Sequence, residues 1–450
     1  MKNNLIIKKK INPFTKKIFI EGDKSISIRW VLLSSLSKKK SRAYNLLKSE
    51  DVISALKCIK KLGSKVKITN NYHEVIGTGT NFKEKKNIIL DAGNSGTLGR
   101  LILGLLINFK KKIKIIGDKS LSKRDFSRVT LPLKKFGLKI FSKKKGLPLI
   151  VQGLEKPKPI FYEEKKGSAQ CKSAVMLAAL KSEGETFIKA KKSRNHTELL
   201  FKYLNFDMKN NSKKYIDMIK IKGVPKINSL NYNIPGDISS GSFFIVLTLL
   251  TNNSQLLIKN VNINPSRIGI IHILRKMGAY IKFKNVRNYK GEKIGDIFVK
   301  SSKNLKSINC PTKYNSSAID EFLIIFLVAA KSKGVSYFKN LSELNQKESP
   351  RLKWGSKILN MMGVKTKLTE NSLKIYGKPK LKINRKITIQ NYLKDHRVFM
   401  MSVIAALTCG GHWYISDMDS VKTSFPSFLK TLKNISKVQG AKKSFKLRNY

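Results

Sequence analysis

Short polar stretches rich in Gly, Ser, Asn or Asp repeatedly run straight into apolar segments rich in small residues. Six such segments occur: 21–36 (EGDKSISIRWVLLSSL), 91–106 (DAGNSGTLGRLILGLL), 166–180 (KGSAQCKSAVMLAAL), 234–250 (IPGDISSGSFFIVLTLL), 314–330 (YNSSAIDEFLIIFLVAA) and 393–407 (LKDHRVFMMSVIAAL). With Lys24, Asn94, Ser168, Ser239, Asp320 and Asp395 as markers, the spacings are 70, 74, 71, 81 and 75 residues. A near-constant period predicts a repeated supersecondary unit. Each segment is apolar nearly all round, which predicts a helix buried inside its domain. Each opens on capping residues, so backbone N–H groups gather at its mouth. Helix ends of this kind attract anions through those groups and the macrodipole.

Between these segments the pattern alternates second, amphipathic helices with short strands. Helices are expected over 51–62, 195–204, 268–277 and 353–362. Strands are expected over 113–116, 148–151, 257–258 and 336–338. Three units to a domain would divide the chain near 221–235, which holds Gly223, Pro225 and Pro235. The expectation is an α/β protein of two domains with a polar cleft between the halves.

Composition narrows the classes. The 450 residues are 41% hydrophobic, enough to bury sizeable cores. The longest apolar runs are about half the ~20 residues that a spanning helix needs, so no membrane association is expected. The basic start, 1–10, lacks an apolar stretch of signal-peptide length, and a cytoplasmic location is expected. Cys58, Cys171, Cys310 and Cys409 lie far apart, which argues against a disulfide framework or a structural zinc site.

The formal charge of +63 invites a nucleic-acid partner. The kind of charge argues otherwise. Of 91 basic residues only 13 are Arg, and the Lys is scattered in twos and threes. Lys, Asn and Ile all have A/T-rich codons, so a composition bias accounts for the excess. Where Lys is the default cation, a surviving Arg marks a place that needs a planar, bidentate fork.

Several such arginines fall in motifs. Lys24, Ser25 and Arg29 stand within a turn or so of a helix start in G-D-K-S-I-S-I-R, a set suited to a phosphate or carboxylate. In G-N-S-G-T, Gly96 lets the backbone approach a ligand closely. Arg124 and Arg128 lie in 119–128, read as a polar loop that is either an anion clamp or plain surface. Lys347, Glu348 and Arg351 stand in K-E-S-P-R, where a Lys–Glu pair can shuttle a proton and Arg351 can hold a carboxylate. Asp320 and Glu321 begin a strongly apolar helix, where a carboxylate is an N-cap, a general base or both. Asp395, His396 and Arg397 occupy the same place in the sixth unit.

The ordered set G-D-K-S-I-S-x-R, N-S-G-T-x-x-R, S-A-Q-x-K-S-A, S-R-N-H-T-E, I-D-E, K-E-S-x-R, D-H-R and K-T-S-F-P resembles the 5-enolpyruvylshikimate-3-phosphate synthase family over residues 13–435. The resemblance implies a two-domain inside-out α/β barrel of six β-α-β-α-β-β repeats, three per domain, with the helices buried. Residues 1–22 plus 236–450 would form one domain and 23–235 the other, with the active site in the cleft. It implies transfer of the enolpyruvyl group of phosphoenolpyruvate to the 5-hydroxyl of 3-phosphoshikimate, with release of phosphate through a tetrahedral intermediate. Neither metal nor organic cofactor is expected, the partners are the two small anions, and a monomer is expected.

Carried over by motif, Lys24 touches both substrates, and Ser25, Arg29, Ser168, Ala169, Gln170 and Arg194 line 3-phosphoshikimate, with Ser193 the alternative to Arg194 as the phosphate contact. Gly96, Arg124, Gln170, Arg351, Arg397 and Lys422 fall to phosphoenolpyruvate. Asp320 resembles the base for the 5-hydroxyl, Lys347 a lysine serving both binding and proton transfer, and Glu348 its partner. Ile28, Trp30, Leu98, Gly99 and Pro350 depart from the family pattern without removing a needed charge. A sister enzyme acting on a UDP-linked amino sugar usually carries a reactive Cys in the loop before the clamp arginine, and 117–124 has none.

Overall fold

The computed structural model describes residues 4–436 except 81, 83–86, 143–144 and 214; the basic tail singled out above, 442–450, lies outside the described residues. The chain forms two compact units. One comprises Met1–Glu21, Pro235–Asn288 and Lys293–Tyr450, the other Gly22–Ile234 and Tyr289–Glu292. Each has its own apolar core.

The fold is mixed α/β, with six small sheets among the described residues. In the Gly22–Ile234 unit, strand Ile88–Asp91 pairs in parallel with Ile113–Ile116, which pairs antiparallel with Leu149–Gln152. The helix Gly96–Leu105 lies between the two parallel strands in sequence, so the parallel pair is a β-α-β crossover. The same scheme joins Phe161–Glu164 to Glu185–Lys191 across helix Ala169–Ala179. It joins Lys386–Ile389 to His412–Ile415 across helix His396–Cys409 in the other unit. In the two remaining parallel pairs the partner strand comes from far along the chain. Thr15–Phe19 pairs with Gln255–Asn262, while Tyr232–Asn233 pairs with Ser41–Tyr44.

The six apolar segments are helices: Lys24–Ser34, Gly96–Leu105, Ala169–Ala179, Ile238–Leu250, Phe322–Ala330 and His396–Cys409. Every residue of the last three is buried, as all-round apolarity demands. Helices Gly96–Leu105 and Ala169–Ala179 pack so closely that a Cβ on Gly104 would stand 2.2 Å from the Ala174 carbonyl oxygen. Only glycine permits that approach. Trp30, bulky for its place, is buried and donates its indole N–H to the Leu230 carbonyl at 2.7 Å.

Five of the six helices start on a side-chain cap. Asp23, Ser95, Ser168, Asp237 and Asp395 accept from the backbone N–H of Ile26, Leu98, Cys171, Ser239 and Arg397. The exception is Phe322–Ala330. Glu321, not Asp320, holds its cap position and makes no side-chain cap bond. Asp320 is therefore no helix cap, which corrects one of the two readings of that residue. A second correction concerns 119–128. Lys119–Ser122 is a helical turn, and Arg128 lies inside helix Ser127–Lys135. Just before that helix Asp125 accepts from the Ser127 N–H at 2.6 Å.

Candidate active site

In the Gly22–Ile234 unit the expected contacts sit at the starts of three buried helices. Lys24 and Ser25 are the first two residues of theirs, both partly exposed. The Lys24 ammonium lies 3.0 Å from the Asp51 carboxylate, which helix Glu50–Lys61 presents. Arg29, one turn further on, is only 4% exposed. Its Nε donates to Thr197 Oγ1 and its Nη2 to Ser173 Oγ, both at 2.8 Å. Its Nη1 donates to the Ser25 carbonyl at 3.1 Å.

Ser168 caps the Ala169–Ala179 helix, and Ala169 and Gln170 form its first turn. Gln170 reaches the start of the neighbouring buried helix, donating to Thr97 Oγ1 at 3.1 Å and accepting from Arg100 Nη1 at 3.0 Å. A Cβ on Gly96 would lie 2.8 Å from Arg100 Nη1 and 2.9 Å from Arg124 Nη1. The glycine thus leaves two guanidinium tips converging on one helix N-terminus, an arrangement suited to an anion. Cys171, next to Gln170, is buried, and burial pushes its thiol up, away from a reactive thiolate. Ser193 and Arg194, both half-buried, directly precede Asn195 and helix His196–Tyr203.

The other unit gathers the carboxylates. Asp320 Oδ1 lies 3.3 Å from Lys347 Nζ and 3.5 Å from Arg351 Nη1. Arg351 is buried and grips Asp395 in a fork, Nε to Oδ2 at 2.9 Å and Nη2 to Oδ1 at 3.3 Å. Its Nη2 also meets Glu348. Burial alone would lower the Arg351 guanidinium, but the charges of Asp395, Glu348 and Asp320 outweigh it and hold it above the ordinary arginine value. Burial alone would raise the Asp395 carboxyl, but Arg351 holds it below the usual carboxylate range. Arg397 donates from Nη1 to the Asp320 backbone carbonyl at 2.7 Å and lies 3.8 Å from Glu321. Glu321 accepts from Ser239, which also accepts from Arg267 at 2.8 Å, so the starts of three buried helices are tied together. Lys422, exposed on the 3-10 turn Met418–Thr423, pairs with Asp419 at 2.7 Å.

Sequence reasoning named most residues of both groups; Arg100, Thr97, Ser173 and Thr197 stood inside quoted motifs without a site role, and Asp51 and Arg267 were given none. Arg100 and Arg267 carried a usable signal, being arginines in a lysine-rich chain. The hydroxyls carried only their place inside quoted motifs. Among the described residues, no group of three or more His, Cys, Asp or Glu could hold a metal ion, and no helix is long and apolar enough to cross a membrane.

The family model for EPSP synthase (3-phosphoshikimate 1-carboxyvinyltransferase) matches residues 8–432. The chain belongs to the EPSP synthase family. A 3-phosphoshikimate 1-carboxyvinyltransferase of Caldicellulosiruptor bescii is 38% identical over 94% of this chain and 97% of its own length. One of Ruthia magnifica is 37% identical over 95% of this chain and 97% of its own. The solved EPSP synthase of Acinetobacter baumannii superposes with a TM-score of 0.84 at 32% identity, covering 96% of this chain and 98% of that one. EPSP synthase family membership therefore spans both units and all the motifs read above.

Proposed function

We infer that this protein transfers the enolpyruvyl group of phosphoenolpyruvate to the 5-hydroxyl of 3-phosphoshikimate and releases phosphate, a step of aromatic amino-acid biosynthesis. The carrying observation is the family match over residues 8–432, within which the charged motif residues are all present. Both substrates are polyanions, and the helix starts of the Gly22–Ile234 unit supply cations and N–H groups of the right kind.

The chemistry we propose proceeds by addition and elimination. The 5-hydroxyl oxygen bonds to C2 of phosphoenolpyruvate while C3 gains a proton, giving a tetrahedral intermediate. Loss of a C3 proton then expels phosphate and restores the double bond. Asp320 accepts the hydroxyl proton, and Lys347, 3.3 Å from it, is the matching proton carrier, with Glu348 as partner. Ser25, Arg29, Ser168, Ala169, Gln170 and Arg194 hold 3-phosphoshikimate, with Lys24 and Lys347 shared between binding and chemistry. Gly96, Arg124, Gln170, Arg351, Arg397 and Lys422 serve phosphoenolpyruvate. For Arg351, already gripped by carboxylates, the role includes holding Asp320 and Asp395 in place.

We further propose the inside-out α/β barrel of six β-α-β-α-β-β repeats, with domains 1–22 plus 236–450 and 23–235. Five of the six sheets combine one parallel pair with antiparallel neighbours, and in the sixth Asn309 bridges in parallel to Tyr337; this recurrence supports the reading. A monomer in the cytoplasm, working without a cofactor, completes it. Mass spectrometry and NMR of the product from both substrates test the function. A carboxyvinyl ether on the 5-oxygen is expected, and unchanged 3-phosphoshikimate under turnover conditions would refute it.

A further inference from the structure

Two hydroxyls inside the family motifs have no part in the roles above. Ser173 is the second Ser of S-A-Q-C-K-S-A, and Thr197 is the Thr of S-R-N-H-T-E. Both are buried, at 0% and 1% exposure. They meet each other, Thr197 Oγ1 donating to Ser173 Oγ at 2.7 Å. Together they receive one edge of Arg29, Nε on Thr197 and Nη2 on Ser173, each at 2.8 Å.

A guanidinium bound along one edge by two fixed acceptors has its plane and direction set. Each lies within a helix, and the two helices meet again one residue away. Lys172, beside Ser173, is fully buried and pairs with Glu198, beside Thr197, at 2.6 Å, and with Asp217 at 3.2 Å. The same two helices carry substrate segments at their starts: Ser168–Gln170 precede Ser173 by about one turn, and Ser193–Arg194 precede Thr197 by three or four residues. Arg29 itself comes from a third helix, with Lys24 and Ser25 at its start. One guanidinium and two hydroxyls thus tie three substrate-contacting segments into a common frame.

We propose that Ser173 and Thr197 are positioning residues that orient Arg29 toward 3-phosphoshikimate, setting affinity for that substrate and not for phosphoenolpyruvate. The inference rests on the reading of Arg29 as a 3-phosphoshikimate contact. A misdirected fork meets its anion at a poor angle, and small displacements of this kind are costly in binding.

The test compares Thr197→Val, Ser173→Ala, Thr197→Ser and Arg29→Gln by steady-state kinetics, with thermal unfolding alongside. Thr197→Val keeps shape and loses the hydroxyl. Thr197→Val and Ser173→Ala are each expected to raise KM for 3-phosphoshikimate about tenfold, with KM for phosphoenolpyruvate and kcat within about threefold. Thr197→Ser, which restores the hydroxyl, is expected within about twofold of wild type. Should either hydroxyl-deleting variant fail to fold, the other, together with Thr197→Ser, decides. An unchanged KM for 3-phosphoshikimate in Thr197→Val and Ser173→Ala, or an equal rise for both substrates, overturns the proposal. Arg29→Gln separates the two levels. If it abolishes 3-phosphoshikimate binding while the hydroxyl variants bind normally, the Arg29 reading stands and the positioning claim falls. If Arg29→Gln binds normally, the underlying assignment falls as well.

Discussion

The carboxylate of Asp320 and the ammonium of Lys347 stand 3.3 Å apart, brought together across 27 residues by the start of one buried helix and the loop before another. In that geometry the carboxylate can take a proton from a hydroxyl and the ammonium can deliver one. Asp320→Asn keeps the shape and loses the acceptor. Its kcat should fall at least about 100-fold, while 3-phosphoshikimate binding, followed by calorimetry, stays within a few-fold of wild type. Turnover close to wild type would remove Asp320 from the chemistry.

Arg397→Lys is expected to cost more than a charge-conserving change suggests. The arginine's Nη1 donates to the Asp320 carbonyl at 2.7 Å and lies 3.8 Å from Glu321; the planar guanidinium offers a substrate carboxylate a second, fixed nitrogen that an ammonium lacks. KM for phosphoenolpyruvate should rise about tenfold and that for 3-phosphoshikimate little, as read from initial rates with each substrate varied. Equal weakening of both would contradict the assignment.

The six helices were legible because all-round apolarity needs no tertiary knowledge. The candidate residues at or near their starts could be picked out because Lys24, Arg29, Gly96, Gln170, Asp320 and Arg397 sit in short contiguous motifs. What the sequence did not carry are pairings made only by the fold. The Arg351–Asp395 fork spans 44 residues and the Lys172–Asp217 contact 45. Helix Ser127–Lys135 was hidden for a local reason. Pro132 inside it removes a backbone donor, and proline in a helix interior is normally a breaker.

Asp395→Ala should destabilise the fold by about 2 kcal/mol or more, because it removes the forked partner of the buried Arg351 guanidinium and leaves it only Glu348 and Asp320. Loss of the cap bond to the Arg397 N–H adds to the effect. Urea unfolding near neutral pH measures it. Because the folded Asp395 carboxyl lies below its ordinary value, its contribution is present above the unfolded pKa and is lost as pH falls through the folded one. The gap between wild type and variant should therefore narrow in acid. A variant as stable as wild type would mean that the fork contributes nothing.

Lys181→Met should stabilise the protein at pH 7. Burial pushes the Lys181 ammonium down from 10.5 to about 7, although its Nζ donates to the Thr80 carbonyl and lies 4.2 Å from the centre of the Phe82 ring. Between about pH 7 and 10.5 the unfolded chain holds a proton that the folded one does not, so wild-type stability rises with pH across that window. The variant's advantage should be largest at or below pH 7 and shrink by pH 9, as measured by urea unfolding at each pH. An advantage independent of pH would show that Lys181 does not titrate with folding.

The most direct test of the account is phosphate release by the purified protein, measured with both substrates and with each omitted in turn. Release that requires phosphoenolpyruvate and 3-phosphoshikimate together, and that collapses in Asp320→Asn, is the predicted result. Release with a UDP-linked amino sugar in place of 3-phosphoshikimate, or none with the pair, would contradict it.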